Sequence, residues 1–315
     1  MVPKLNDDCI KEILEFLYDD TRTLFSCLLV SRVWCRIGVI ILWRNPWRNP
    51  HDWRPQFDSI LSFLSEDSIK ALREKRIIVR PTKPQLFDYL EYVQSVTSLG
   101  IMSIRYQVIK LRYITCVEND TDENSDVVQD KKHNAVQQQN AFQDELWKLF
   151  LRKGVNLKSI GIFEPPPSVS QFPEAMRNLS RLESLNCLSI VSIGRVRIYE
   201  DLVQICRNLK SLYIDGCNDN PVIAEIISVQ NGLKELEIIN TRKVQNLPLI
   251  GYSLATKQGN SLEEITFRFH ICLSSVVLNC LKNLKRIYLL DHRDPLELKI
   301  LEEVKIKDLK IERYT

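Results

Sequence analysis

The chain has 315 residues, 44% hydrophobic and 26% charged, an ordinary globular composition with room for a large core and a small appended domain. Its 43 basic and 40 acidic side chains leave a net charge of only +3, which removes any global electrostatic case for a nucleic acid or a membrane surface as partner. Nine cysteines, at positions 9, 27, 35, 116, 187, 206, 217, 272 and 280, form no C-x-x-C pair. Neither a metal site nor a disulfide framework is therefore expected, and reduced, buried thiols suit a cytoplasmic or nuclear protein. No apolar signal core opens the sequence, so no secretory leader is expected, and the longest apolar run, residues 37–43, is too short to span a bilayer. The N-x-S/T sequons at Asn119 and Asn178 then read as chance matches.

Three short helical patterns come first. Ile10, Ile13, Leu14 and Leu17 fall at i, i+3, i+4 and i+7, one face of a helix. Leu24, Cys27, Leu28, Leu29, Val30, Val33 and Trp34 crowd eleven residues and leave the second pattern apolar nearly all round. Ile40 to Trp43 close the third. So small a unit cannot bury all of this surface internally, so the surplus needs a second domain or a second protein.

This series resembles an F-box, the motif that docks on the Skp adaptor of cullin-RING ubiquitin ligases. The family's opening pattern matches Leu5, Asp8, Ile10, Ile13, Leu14 and Leu17; its later Leu-x-Val-x-Arg-x-Trp series matches Leu28, Val30, Arg32 and Trp34; its closing Leu-Trp matches Leu42 and Trp43. Asn6 stands where the family usually has Pro, and Asn is a competent N-cap, so a helix start survives while a partner-facing proline contact is lost. The resemblance implies a three-helix F-box over residues 1–47 that binds Skp, and through it a cullin, by Leu5, Ile10, Ile13, Leu14, Leu17, Leu28, Val30 and Trp34. The competing reading of the same residues is an ordinary helical subdomain buried against the rest of the chain.

Residues 48–76 read as a connector and a helix. Arg44, Trp47, Arg48, Trp53 and Arg54 lie among Pro46, Pro50 and Pro55, a composition that suits a rigid link whose tryptophans pin the first helices in place better than it suits a base-stacking patch. Lys70, Arg73, Lys75 and Arg76 would form the solvated face of a helix over about 65–76. Residues 118–140, acidic at first and then Gln-rich, read as a mobile insertion.

From residue 77 onward the expected domain is a leucine-rich-repeat solenoid. The pattern L-x-x-L-x-L, with conservative swaps, begins at Leu157, Leu182, Leu209, Leu233, Leu262 and Leu284, at intervals of 25, 27, 24, 29 and 22 residues. Cys217 sits at the Asn/Cys position three residues after Ile214; Ile190 and Thr241 sit there in neighbouring units. A degenerate unit is expected at residues 93–101, and a final one at either Leu301 or Ile306. Between strands, Leu202, Ile205, Cys206 and Leu209 form an apolar stripe that must pack back on the sheet. No unit buries its apolar face alone, so the units stack. The fold class is thus an irregular α/β solenoid of parallel strands and helices behind a small helical domain.

In each strand the leucines face inward and the alternating residues face the concave side. These are Ser184 and Asn186; Ser211, Tyr213 and Asp215; Glu235 and Glu237; Glu264, Thr266 and Arg268; Arg286 and Tyr288. Tyr213 and Tyr288 are the best anchors, and Glu235, Glu237 and Glu264 would make an acidic centre for a basic target segment.

Nothing in the sequence points to catalysis. The four histidines, 51, 133, 270 and 292, form no H-E-x-x-H; G-x-S-x-G, Walker and G-x-G-x-x-G patterns are missing; and Cys272 with His270 is not distinguished from packing residues. No cofactor is expected. The expected function is that of a substrate-receptor subunit of a Skp/cullin/F-box ubiquitin ligase, which recruits an unknown protein target through its repeats and works by proximity. The alternative is a repeat scaffold without ubiquitin ligation.

Overall fold

The computed structural model describes residues 5–48, 54–79, 85–110, 114–116, 125–163, 169–170, 172–187, 197–215, 219–241, 246–292, 294 and 296–314. Two units meet in sequence between Leu157 and Lys158.

The first unit opens with α1 (Asp7–Phe16), α2 (Thr21–Leu28) and α3 (Arg32–Leu42). Each has a side-chain cap: Asn6 accepts from the Cys9 N–H at 2.8 Å, Asp20 from Thr23 at 3.1 Å and Ser31 from Trp34 at 3.3 Å. Ile10, Leu14, Leu24 and Ile41 form the core of this trio, with Leu17, Cys27, Val33, Trp34 and Ile37 packed around it. A Cβ on Gly38 would lie 2.5 Å from Leu28 Cδ2, so a glycine there lets α2 and α3 approach. Arg44 grips Glu15 with both terminal nitrogens, one bond at 2.6 Å, and this holds the Glu15 carboxyl below its usual range.

After the trio come α4 (Arg54–Leu61), α5 (Glu66–Glu74), β1 (Ile77–Val79), a 3₁₀ turn at Tyr89–Tyr92, β2 (Ser95–Thr97), α6 (Ser98–Lys110), β3 (Ile114–Cys116) and α7 (Ser125–Lys153). β1 and β3 pair antiparallel. Two tryptophans fasten the trio to this second half. Trp43 stacks on Tyr89 at 4.6 Å, and Trp47 donates to the Ser95 carbonyl at 2.7 Å with its ring edge-on to Phe150. Trp53 lies outside the described residues. The trio thus shares one unit with residues that the sequence reading assigns to a connector and to the solenoid.

The stretch read as a mobile insertion is helical from Ser125 onward, as the first half of α7, and Gln138 donates to the Lys75 carbonyl at 3.1 Å. Residues 117–124 lie outside the described residues. The reason is downstream: Phe142, Leu146, Trp147, Phe150 and Leu151 are buried at helical spacing, and a helix so anchored extends back through polar sequence with high helix propensity.

The second unit repeats strand and helix: β4 (Ser159–Ile162), α8 (Pro173–Leu179), β5 (Ser184–Cys187), α9 (Arg197–Ile205), β6 (Ser211–Asp215), α10 (Pro221–Ser228), β7 (Glu235–Ile239), α11 (Pro248–Lys257), β8 (Glu264–Arg268), α12 (Ser275–Cys280), β9 (Arg286–Leu290), α13 (Leu298–Glu302) and β10 (Lys310–Tyr314). The strands lie side by side in chain order, each parallel to the next. Their register stacks equivalent repeat positions. One buried column runs Ile160, Leu185, Leu212, Leu236, Ile265, Ile287; the other runs Ile162, Cys187, Ile214, Ile238, Phe267, Leu289. The helices pack inward through residues such as Ile198, Leu202 and Val203 on α9, while Cys206 and Leu209 complete that stripe just beyond the helix.

Neither register expected for the last unit occurs. Leu301 belongs to α13, and Ile311, not Leu309, sits beside Ile287. That places Arg313 in the column occupied elsewhere by apolar residues, an inward-position charge at the end of the sheet.

Candidate functional site

Two surfaces are candidates for protein binding, one in each unit. On the N-terminal trio, the eight residues assigned to Skp contact divide by burial. Ile10 and Leu14 are 3% and 0% exposed and belong to the trio's own core. Leu17 and Trp34 are half-buried against it, and Leu28 is half-buried beside Gly38. Leu5, Ile13 and Val30 are exposed. Ile10 and Leu14 mark the inward face of α1 and are the stripe residues least able to meet a partner, while Ile13 lies at the stripe's exposed edge. The exposed apolar surface comes largely from residues outside it: Phe16 is 94% exposed, Leu29 77% and Val30 64%, with Phe25 and Ile40 also exposed. On α1, Ile13 and Phe16 lie three apart and so share a face. Their signal in the sequence was the surplus of large apolar residues beyond one stripe.

The second surface is the face of the sheet formed by alternate strand positions. The residues expected there are half-buried at alternate positions, except Glu235 on β7, which is exposed. The register sets Tyr213 beside Glu237, Glu235 beside Glu264 and Thr266 beside Tyr288. The expected acidic centre is partly cancelled. Arg286 forms an ion pair with Glu264, and Arg268 lies 3.8 Å from Glu237. Burial raises the Glu237 carboxyl, against the pull of Arg268. Burial also raises the Tyr213 phenol, helped by the charges of Glu237 and Asp215. Tyr288 lies 6.2 Å from the Tyr314 ring, whose hydroxyl donates to Glu312 at 2.6 Å.

Beside this face runs an ion-pair edge that sequence reasoning missed. Glu183 lies between Lys158 and Lys210, at 3.6 and 3.1 Å, and Glu263 between Lys234 and Lys285, each at 2.5 Å. The hydrogen bonds of the two lysines hold the Glu263 carboxyl at about 2. Its signal was present in the residue after each repeat's first leucine, which runs Lys158, Glu183, Lys210, Lys234, Glu263, Lys285, so that each glutamate falls between two lysines.

Two buried glutamines stitch the repeats together. Gln230 accepts from the Leu209 N–H at 2.9 Å and donates to the carbonyls of Cys206 and Ile226. Gln258 accepts from the Leu233 N–H at 3.1 Å and donates to the carbonyls of Ile227 and Gln230. Each thus satisfies backbone groups at the turn into a strand. Cys206 holds a related position and donates its thiol to the Leu179 carbonyl, with burial pushing its pKa up to about 12. Of the Asn/Cys-position residues, Thr241 is exposed, and Ile190 and Cys217 lie outside the described residues.

His270 Nδ1 and His292 Nε2 both reach Glu297, at 2.9 and 3.1 Å, and Glu297 also accepts from the Ile271 N–H. Cys272 is fully buried. Among the described residues no cluster could hold a metal ion, and no helix is long and apolar enough to cross a membrane.

The family described as plant disease resistance protein RPS2-like, leucine-rich repeats, matches residues 195–311. No curated protein matches the chain. Over residues 195–311 the chain is thus similar to leucine-rich repeats, and its parallel sheet with intervening helices has the geometry of such repeats.

Proposed function

We propose that this chain is a substrate-receptor subunit of a Skp/cullin/F-box ubiquitin ligase, with the N-terminal trio docking on Skp and the repeats holding a protein target on their concave face. The reading is carried by one observation: three capped helices with an F-box-like residue series keep Ile13, Phe16, Leu29 and Val30 in solvent after satisfying their own core. Apolar surface of this kind on a folded unit marks a partner site. The chain itself would do no chemistry; it would raise the concentration of target lysines near a charged ubiquitin-conjugating enzyme.

The test uses the full chain with Phe16→Asp, Leu29→Asp and Val30→Asp together. Deleting residues 1–47 would also strip Trp43 from Tyr89, and Leu28→Asp or Trp34→Ala would disturb the trio's packing. The expected result is an unchanged melting temperature with Skp binding weakened tenfold or more, the ~1.4 kcal/mol or larger effect of interface anchors. Wild-type Skp binding by a folded triple variant would reject this face of the trio as the contact, and no Skp binding by the wild-type chain would leave the repeat scaffold without ubiquitin ligation as the function.

A further inference from the structure

The outward face of the sheet, the expected concave side, carries its free charge unevenly. On β6 and β7 the outward positions hold Asp215, Glu235 and Glu237 and no base. On β8, β9 and β10 they hold Arg268, Arg286 and Lys310 against Glu264 and Glu312. Both arginines already face a carboxylate, Arg268 that of Glu237 and Arg286 that of Glu264. Asp215 and Glu235 have neither an ion pair nor a hydrogen bond to their carboxylates among the described residues. Tyr213 lies in their midst: Asp215 is two positions along its own strand, Glu237 is its neighbour in register, and Glu235 is on the diagonal. Neighbouring strands are about 4.8 Å apart and alternate residues about 6.6 Å, so a cationic group over the ring would stand within reach of all three carboxylates. Next to this site, the Nε atoms of Arg268 and Arg286 are buried without an acceptor.

We propose that the concave face takes an extended cationic segment of a partner protein, with an arginine or lysine seated over the Tyr213 ring among Asp215, Glu235 and Glu237. This deepens the reading of that face as the target site and rests on it. The occupant follows from complementarity: the ring attracts a cation through its face, the free carboxylates add to that attraction, and the bases nearby are already engaged. An anionic segment would meet two uncompensated acids, Asp215 and Glu235, where it crosses β6 and β7.

The test is fluorescence anisotropy on the full chain with two labelled peptides, (Gly-Ser-Arg)₄ and (Gly-Ser-Glu)₄. The arginine peptide should bind, more weakly as salt is raised, and the glutamate peptide should not. Asp215→Lys with Glu235→Lys should weaken binding at least tenfold. Tyr213→Ala should weaken it and Tyr213→Phe should not, since the ring and not the hydroxyl receives the cation. Equal binding of the two peptides, or undiminished binding by charge-reversed protein that melts as wild type, would overturn the proposal. A second arm separates this from the parent reading. Ser211→Trp with Thr266→Trp obstructs the whole face, and proximity labelling then reads the partners of the wild-type and blocked chains. Unchanged partners would reject the face as target site, and the cationic-segment proposal with it. Changed partners together with no arginine-peptide binding would reject the cationic segment alone.

Discussion

Gln258 shows how much one side chain can hold in a stack of repeats. It is fully buried, its oxygen accepts from the Leu233 N–H and the Ser261 hydroxyl, and its amide nitrogen serves two carbonyls of the preceding repeat. Replacing it with Leu keeps the volume roughly constant and abandons the Leu233 N–H and the Gln230 carbonyl in an apolar setting, while the Ile227 carbonyl keeps the Gln230 N–H. Each orphaned buried group costs about 1–3 kcal/mol. Gln258→Leu should therefore lower the urea-unfolding free energy by roughly 3 kcal/mol, with the slope against denaturant unchanged. A loss under about 1 kcal/mol would mean that water or a shifted backbone replaces the amide.

At the scale of elements, close approach and not propensity decides where helices can sit. A Cβ on Gly100 would lie 2.5–2.8 Å from ring atoms of Trp47, whose indole is fixed by the Ser95 carbonyl. Gly100→Val should cost roughly 1–3 kcal/mol, because the ring must leave its place over α6. Tryptophan fluorescence should shift with it. Gly232, which has nothing within 4 Å of an added Cβ, should accept Ala with little change in melting temperature. Equal effects at both positions would show that Trp47 does not set the spacing. The same principle governs the trio, where Gly38 admits Leu28 and α2 closes on α3.

Across the repeat unit, each strand touches only its neighbours, so stability is a sum of local terms that falls off towards an end of the stack. β10 has one neighbour, and four of its five residues are exposed, including Ile311 in a column buried elsewhere. Hydrogen exchange should therefore be fastest in Lys310–Tyr314 and slowest in β6 to β8, where both neighbouring strands and both buried columns are in place. Uniform protection from β5 to β10 would indicate that the stack opens as one cooperative unit.

The repeats were legible in the sequence because their determinant is local: a buried apolar residue at every second strand position, recurring at intervals close to the length of one strand-and-helix turn. The N-terminal helices were legible for the same reason, together with Asn6 as an N-cap; Asp20 and Ser31 proved to cap the next two helices in the same way. Three things waited for the tertiary structure. Periodicity marks the face that a helix buries, so it pointed to Ile10 and Leu14, whereas Phe16 and Leu29 are left outside only by how α1, α2 and α3 pack together. Charge pairing depends on register between strands some 20 to 30 residues apart, so Arg286 could not be seen to neutralise Glu264, nor the free carboxylates to gather around Tyr213. Residues 125–140 are helical because the buried stretch Phe142–Leu151 fixes the helix from downstream, a long-range cause that composition alone does not carry.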